Sequence, residues 1–219
     1  MWIATDYGLN RFDGYKFQTF LHEDADTCSL QANAVVSLLC DRQGRLWVGT
    51  NRGLDRFDYG LSQFVHYQFP DNIQPRVSRI LQRHDGTILV GTAGYGAYTV
   101  NGTQLQQYSI EQRYFSKIFE DSRGRLWRSG FDDVISFRDG QKITSFHTEG
   151  GNPQAILEAD GEVLIVCQHN IMSFRNGQMT VADIDMSAVE GKDVIFSEAA
   201  INAHGDIYIG TRGRGIYRI

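Results

Sequence analysis

A chain of 219 residues with a formal net charge of -5 and 42% hydrophobic residues fits one large β domain or two small ones, and its interspersed acids and bases give no footprint for DNA or RNA. Its three cysteines, Cys28, Cys40 and Cys167, are odd in number and lack metal-ligand spacing, so they indicate neither a disulfide framework nor a zinc site and are expected to be buried free thiols. No apolar run approaches the ~18 residues of a transmembrane helix.

In chain order, the first element is a phrase that comes back. Residues 1–13 read MWIATDYGLNRFD and residues 46–58 read LWVGTNRGLDRFD, identical at seven of thirteen positions. Related phrases start at Asp85, Asp121, Asp160 and His204, and their central residues, Trp2, Trp47, Leu89, Trp127, Leu164 and Tyr208, recur about every 40 residues. The second copy shows the four apolar runs of one unit: A, VVSLLC (35–40); B, RLWVGT (45–50); C, GLDRFD (53–58); and D, FVHYQF (64–69). A tight Gly-bearing turn links A to B each time, the signature of a hairpin. With 23 Gly against 3 Pro, the turns lean on Gly, Asn and Asp. Only 182–193 hints at a short helical turn. The first unit opens in strand B and the last closes in strand C, so the pattern predicts twenty-two strands, with 1–219 read as one domain truncated at both ends.

Four antiparallel strands per repeat predict an all-β fold: a β-propeller of four-stranded blades, about five to six of them present, as an incomplete part of a larger, seven-bladed propeller. Stacked blades bury both sides of strand B, which explains Trp47 between Leu46 and Val48 and makes Trp2, Trp47 and Trp127 core wedges. The Gly-Thr pairs at 49–50, 91–92 and 210–211 are expected to let adjacent blades approach closely. Arg128 replaces an apolar strand residue, so its charge requires a partner or an aqueous channel.

The phrase running from Asp41 to Asp58, with GRLWRSG (124–130) and the SLxxNxV pattern of CSLQANAVVSLLCD (28–41), resembles the two-component regulator propeller repeat over essentially the whole chain. That resemblance implies seven-bladed propellers in the periplasmic sensor half of bacterial membrane receptors, several of which sense breakdown products of polysaccharides. It implies flanking propeller and signalling domains, a membrane span outside this chain and dimerisation of the full receptor.

If strands alternate in direction, the B-to-C loops and the D-to-A crossovers emerge at the same end of each sheet. Those loops carry Tyr7, Arg52, Tyr95, Asp132, His169, Arg212 and Arg214. Rings with Arg, Asp and Asn suit recognition of a small ligand such as an oligosaccharide, and equally describe ordinary solvated loop tips. Arg42, Gln43, Ser122 and Arg123, on the A-to-B turns, serve as the opposite-end comparison. No metal, cofactor or catalytic residue is indicated: GYG (94–96) and GRG (213–215) precede strands, so they are not phosphate loops, and no G-x-S-x-G phrase is present. The expectation is a non-enzymatic sensor module. A propeller lyase or glycosidase is the second reading, and an interaction scaffold or the remnant of a truncated receptor the third.

Overall fold

A computed structural model describes residues 1–109, 113–184 and 194–219. The chain forms two compact units, Met1–Phe115 and Ser116–Ile219. The first holds three antiparallel sheets: β1 (Trp2–Thr5), β2 (Gly8–Phe12) and β3 (Phe17–Phe20); β4 (Val35–Cys40), β5 (Leu46–Thr50), β6 (Gly53–Asp58) and β7 (Gln63–Tyr67); and β8 (Val77–Gln82), β9 (Ile88–Thr92), β10 (Ala97–Asn101) and β11 (Gln104–Ser109). The second unit holds three more: β12 (Lys117–Glu120), β13 (Leu126–Ser129), β14 (Val134–Asp139) and β15 (Lys142–His147); β16 (Pro153–Ala159), β17 (Glu162–Cys167), β18 (Ile171–Arg175) and β19 (Gln178–Val181); and β20 (Phe196–Ile201), β21 (Ile207–Thr211) and β22 (Ile216–Arg218).

The twenty-two strands of the described residues match the sequence expectation. In every sheet, sequential strands pair antiparallel, so each is an up-and-down meander, the blade of a β-propeller. The helical turn foreseen in 182–193 lies almost wholly outside the described residues.

Neighbouring sheets of a unit meet along their A strands, β4 on β8 in the first unit and β12 on β16 and β16 on β20 in the second. Strand B is buried throughout in β5, β9 and β13. Trp47 is 1% exposed and packs with Leu54, Tyr67 and Val90, while Trp127 packs with Phe137, Ile165 and Phe174. Trp2 is only half-buried, against Phe20, Phe57 and Tyr59. At Gly49, an added Cβ would stand 2.6 Å from Val77 Cγ1 of the next sheet, so close approach does require glycine there. Arg128 is buried and its Nε donates to Ser136 Oγ at 3.3 Å.

A device that the repeat pattern left unassigned holds the A-to-B turn. Asp41 is buried; its Oδ1 accepts from the main-chain N–H groups of Gln43 (3.0 Å) and Arg45 (2.9 Å), and its Oδ2 from Arg45 Nε (2.6 Å) and Trp47 Nε1 (2.8 Å). Asp121 repeats all four bonds, with Arg123, Arg125 and Trp127. The arginine then lies over the indole ring, at 5.5 Å in both copies. Burial by itself would raise the Asp41 pKa, but the donors from Trp47 and Arg45 together outweigh it and hold the carboxyl below its ordinary range.

The thiols depart from expectation: Cys167 is buried, but Cys28 is half-buried in the 21–34 crossover and Cys40 is exposed, because it ends β4 on that strand's outward side. Burial pushes the Cys167 thiol up to about 11. Alkylation of the native protein at pH 8 is therefore expected to label Cys40 readily and Cys167 only after unfolding, as read by peptide mass spectrometry.

Asp41→Ala strands the Trp47 and Arg45 donors and is expected to lower stability by about 3 kcal/mol in urea titration at pH 7. A carboxyl held below its unfolded value of about 3.9 stabilises fully above that pH and loses its contribution as pH falls through the folded value. The gap between wild type and variant should therefore narrow below about pH 4; a constant gap would contradict the role of the ionised carboxylate.

Candidate functional site

One backbone bond recurs at the B-to-C end of the sheets. Asn51 N–H donates to the Ala34 carbonyl (3.0 Å), Ala93 to Arg76 (3.0 Å), His169 to Gly150 (3.0 Å) and Arg212 to Ile195 (2.9 Å). In each case the loop leaving strand B is tied to the crossover that leads into, or toward, strand A of its own sheet. The threonine ending strand B closes the loop: Thr50 Oγ1 donates to the Gly53 carbonyl (3.1 Å), Thr92 to Gly96 (2.7 Å) and Thr211 to Gly215 (2.9 Å). The Gly-Thr signal thus carries two functions, close packing at Gly49 and turn closure at the threonine; the second had no counterpart in the sequence reading.

All seven residues singled out from the sequence lie on these loops and are exposed. In the first unit, Tyr7 stands between β1 and β2, Arg52 between β5 and β6, and Tyr95 between β9 and β10. In the second, Asp132 precedes β14, His169 lies between β17 and β18, and Arg212 and Arg214 between β21 and β22. The first unit brings Arg52 and Tyr95 to cavities; Tyr7 lines neither of them. Arg52 donates through Nε and Nη2 to Gln74 Oε1, at 3.3 and 3.0 Å.

The SLxxN segment forms a wall of this end. Ser29 Oγ accepts from Glu23 N–H (2.9 Å) and donates to the Asp26 carbonyl (2.8 Å), Leu30 is fully buried, and Asn33 Oδ1 accepts from His22 N–H (2.7 Å). Gln31 donates from its main chain to Asp55 Oδ2 (2.9 Å) and from Nε2 to Asp55 Oδ1 (2.8 Å). Asp55 is completely buried in β6, and the same carboxylate faces His66 Nδ1 at 2.7 Å. His66 Nε2 lies 2.7 Å from the Thr27 carbonyl. Both ring nitrogens face acceptors, so only the imidazolium satisfies both bonds. The hydrogen bond to Asp55 accordingly raises the His66 pKa against the opposing effect of burial.

Cavities of about 300 Å³ and 340 Å³ share Gln31, His66 and Gln74 in their walls. A third, of about 460 Å³, is lined by Asp71, Tyr95, Tyr98, Gln107 and Arg113 among others. Sequence reasoning found Tyr95 but missed Asp71, Tyr98 and Arg113, which come from a crossover and from strand C. No group of three His, Cys, Asp or Glu side chains able to hold a metal occurs among the described residues. No helix of the described residues is long and apolar enough to cross a membrane.

The opposite end is less neutral as a comparison than the sequence implied. Arg42 Nη2 donates to the Arg83 carbonyl, and its main-chain N–H to Gln82 Oε1 (2.8 Å), joining neighbouring sheets. Ser122 likewise bonds Glu158, at 2.6 Å between hydroxyl and carboxylate. Arg123, whose main-chain N–H meets Asp121, is the better control.

The class these meanders define is the β-propeller. Within it, residues 29–52, running from the SLxxN wall through the latched A-to-B turn to Arg52, match the two component regulator propeller family, so the chain carries that family's repeat. No curated protein matches the chain in sequence. Among solved structures it is similar to the extracellular domain of BT3049 from B. thetaiotaomicron, described as a hybrid two component system, at 21% identity and a TM-score of 0.76, covering 100% of this chain and 31% of that one. It is also similar to the extracellular domain of BT4673 from the same organism, at 18% identity and a TM-score of 0.79, covering 100% of this chain and 33% of that one. A catalytically inactive virginiamycin B lyase from Staphylococcus aureus, solved with quinupristin, aligns at 14% identity and a TM-score of 0.74 over 97% of this chain and 73% of that one. The chain thus spans about a third of the length of the two extracellular domains, and likenesses at these identities establish the fold alone.

A group whose folded pKa is raised stabilises fully below its unfolded value, about 6.5 for histidine, and loses its contribution as pH rises through the folded value. Thermal melts of wild type and His66→Gln are therefore expected to differ most in mildly acidic buffer and to converge on the alkaline side. A gap that widens with pH would reject the imidazolium clamp.

Proposed function

We propose that the chain is a non-enzymatic sensing module, one propeller domain across 1–219, in the extracytoplasmic, periplasmic part of a bacterial two-component receptor. It takes a small ligand, with an oligosaccharide as the first candidate, at the B-to-C end of its sheets and passes the event to flanking propeller and signalling domains of the same receptor, which works as a dimer when full-length. The carrying observation is the set of cavities at that end of the first unit, walled by the SLxxN crossover, Arg52 and Tyr95. The family repeat at 29–52 and the likeness to extracellular domains of two component systems support the reading.

The lyase similarity raises the enzyme alternative, and His66 speaks against it in the first unit. Paired with buried Asp55, it resembles the base of a catalytic dyad, but its outer nitrogen is taken by the Thr27 carbonyl.

Thermal-shift screening of the protein against an oligosaccharide panel, followed by calorimetry on each hit, tests the reading. Tyr95→Ala is expected to weaken binding about tenfold while changing stability by under about 0.5 kcal/mol, and Arg123→Ala to change neither. A hit weakened by Arg123→Ala and untouched by Tyr95→Ala would put the site at the wrong end.

A further inference from the structure

We propose that the cavity beside Tyr95 binds one carboxylate-bearing pyranose, a hexuronic acid residue of an oligosaccharide; this rests on the sensing role proposed above and names the ligand class and the residues that read it. The site is built from a ring and a cation whose main chains are tied to each other. The N–H groups of Gly94 and Gly96, on either side of Tyr95, both donate to the carbonyl of Arg113, at 2.8 and 3.2 Å. Both glycines take left-handed φ values, 96° and 84°, so that the loop can point both N–H groups inward while Tyr95 points out. Thr92 fastens the far side, its N–H and Oγ1 both donating to the Gly96 carbonyl, at 3.0 and 2.7 Å. Little main-chain ordering is left for a ligand to impose here, and the Arg113 side chain is what binding would order.

Each chemical requirement of a uronate has a counterpart. Tyr95 is 50% exposed and offers a ring face to the C–H side of a pyranose. The Arg113 guanidinium is exposed and has no hydrogen bond or ion pair among the described residues, leaving its planar fork for a carboxylate. Asp71 and Gln107 line the same cavity and accept from, or donate to, ring hydroxyls. Tyr98 stays a neutral hydroxyl donor, because burial, with Asp71 nearby, raises its pKa. Asp71 also limits the charge: one anionic group is met by Arg113, and a second or a sulfate cluster would face a carboxylate. A neutral sugar would leave the guanidinium with only uncharged acceptors, which bind it more weakly.

The test is calorimetric titration of the 219-residue protein with glucuronate- and galacturonate-containing trisaccharides and with their carboxyl-reduced neutral counterparts. At least one acidic trisaccharide is expected to bind about tenfold or more tightly than its neutral counterpart, with affinity falling as salt rises. Arg113→Gln should lower acidic binding to the neutral level, Arg113→Lys should restore part of the preference, and Tyr95→Ala should weaken acidic and neutral ligands alike. Circular dichroism melts confirm folding of each variant, which the unpartnered Arg113 side chain makes safe to expect. Equal affinity for acidic and neutral members, still weakened by Tyr95→Ala, would overturn the uronate class and leave the sensing role standing. Binding unaffected by both Arg113→Gln and Tyr95→Ala would overturn the site. No binding by any saccharide would overturn the inference together with the reading beneath it.

Discussion

A buried carboxylate that gathers a turn, an arginine and an indole is the interaction on which each well-preserved blade depends. Asp41 and Asp121 each fill their acceptor positions with two main-chain donors, a guanidinium and a Trp Nε1. Desolvating an aspartate is costly, and here four donors offset the cost. The geometry follows from spacing alone: the residue four places on supplies the guanidinium, and the one six places on, the second residue of strand B, supplies the indole. Trp47 and Trp127 are thereby fixed in position as well as buried, and the sheets pack around them.

The opposite end is organised by backbone. Bonds from the loop after strand B to the crossover of its own sheet recur at Asn51, Ala93, His169 and Arg212 whatever the side chain. Because main-chain groups make the frame, the outward side chains are free to vary, which is why that end carries Arg, Tyr, Asp and His in different copies. The SLxxN crossover extends this frame in the first unit, where Gln31 and His66 converge on one buried carboxylate, Asp55.

The fold was legible because its main determinant is a period. Seven identities between residues 1–13 and 46–58 locate strand B and strand C, and the Gly-bearing turns locate strand A. The strand limits Val35–Cys40 and Gly53–Asp58 agree with the apolar runs read from sequence. The latch was written in the same phrase, as Asp with Arg four and Trp six residues on, but nothing in the period says what a carboxylate bonds. The cavity residues were only half legible. Tyr95 stands out at a loop tip, whereas Asp71 comes from the 68–76 crossover, Tyr98 from strand C and Arg113 from beyond β11. Residues from three elements share a wall only through tertiary structure, and no repeat spacing records it.

The same hydrogen bonds bear on whether the first unit binds or catalyses. Proton transfer needs an imidazole or carboxyl with a site left open to the substrate. His66 has Asp55 on one nitrogen and the Thr27 carbonyl on the other, and His22, in the same wall, has the Leu30 carbonyl at 2.5 Å from Nδ1 and Asp24 at 3.1 Å from Nε2. Both imidazoles are spent on holding the crossover together. The third cavity is lined by groups of another kind: an aromatic face at Tyr95, a phenol at Tyr98, a carboxylate at Asp71, and a guanidinium at Arg113 whose backbone is pinned beside the ring. These groups offer a ring face, a hydroxyl donor and a planar guanidinium fork on one wall. The division of labour is physical: both histidines that line the cavities of the first unit are bonded at each ring nitrogen, and the third cavity is lined by two phenols, a carboxylate, an amide and a guanidinium but by no imidazole.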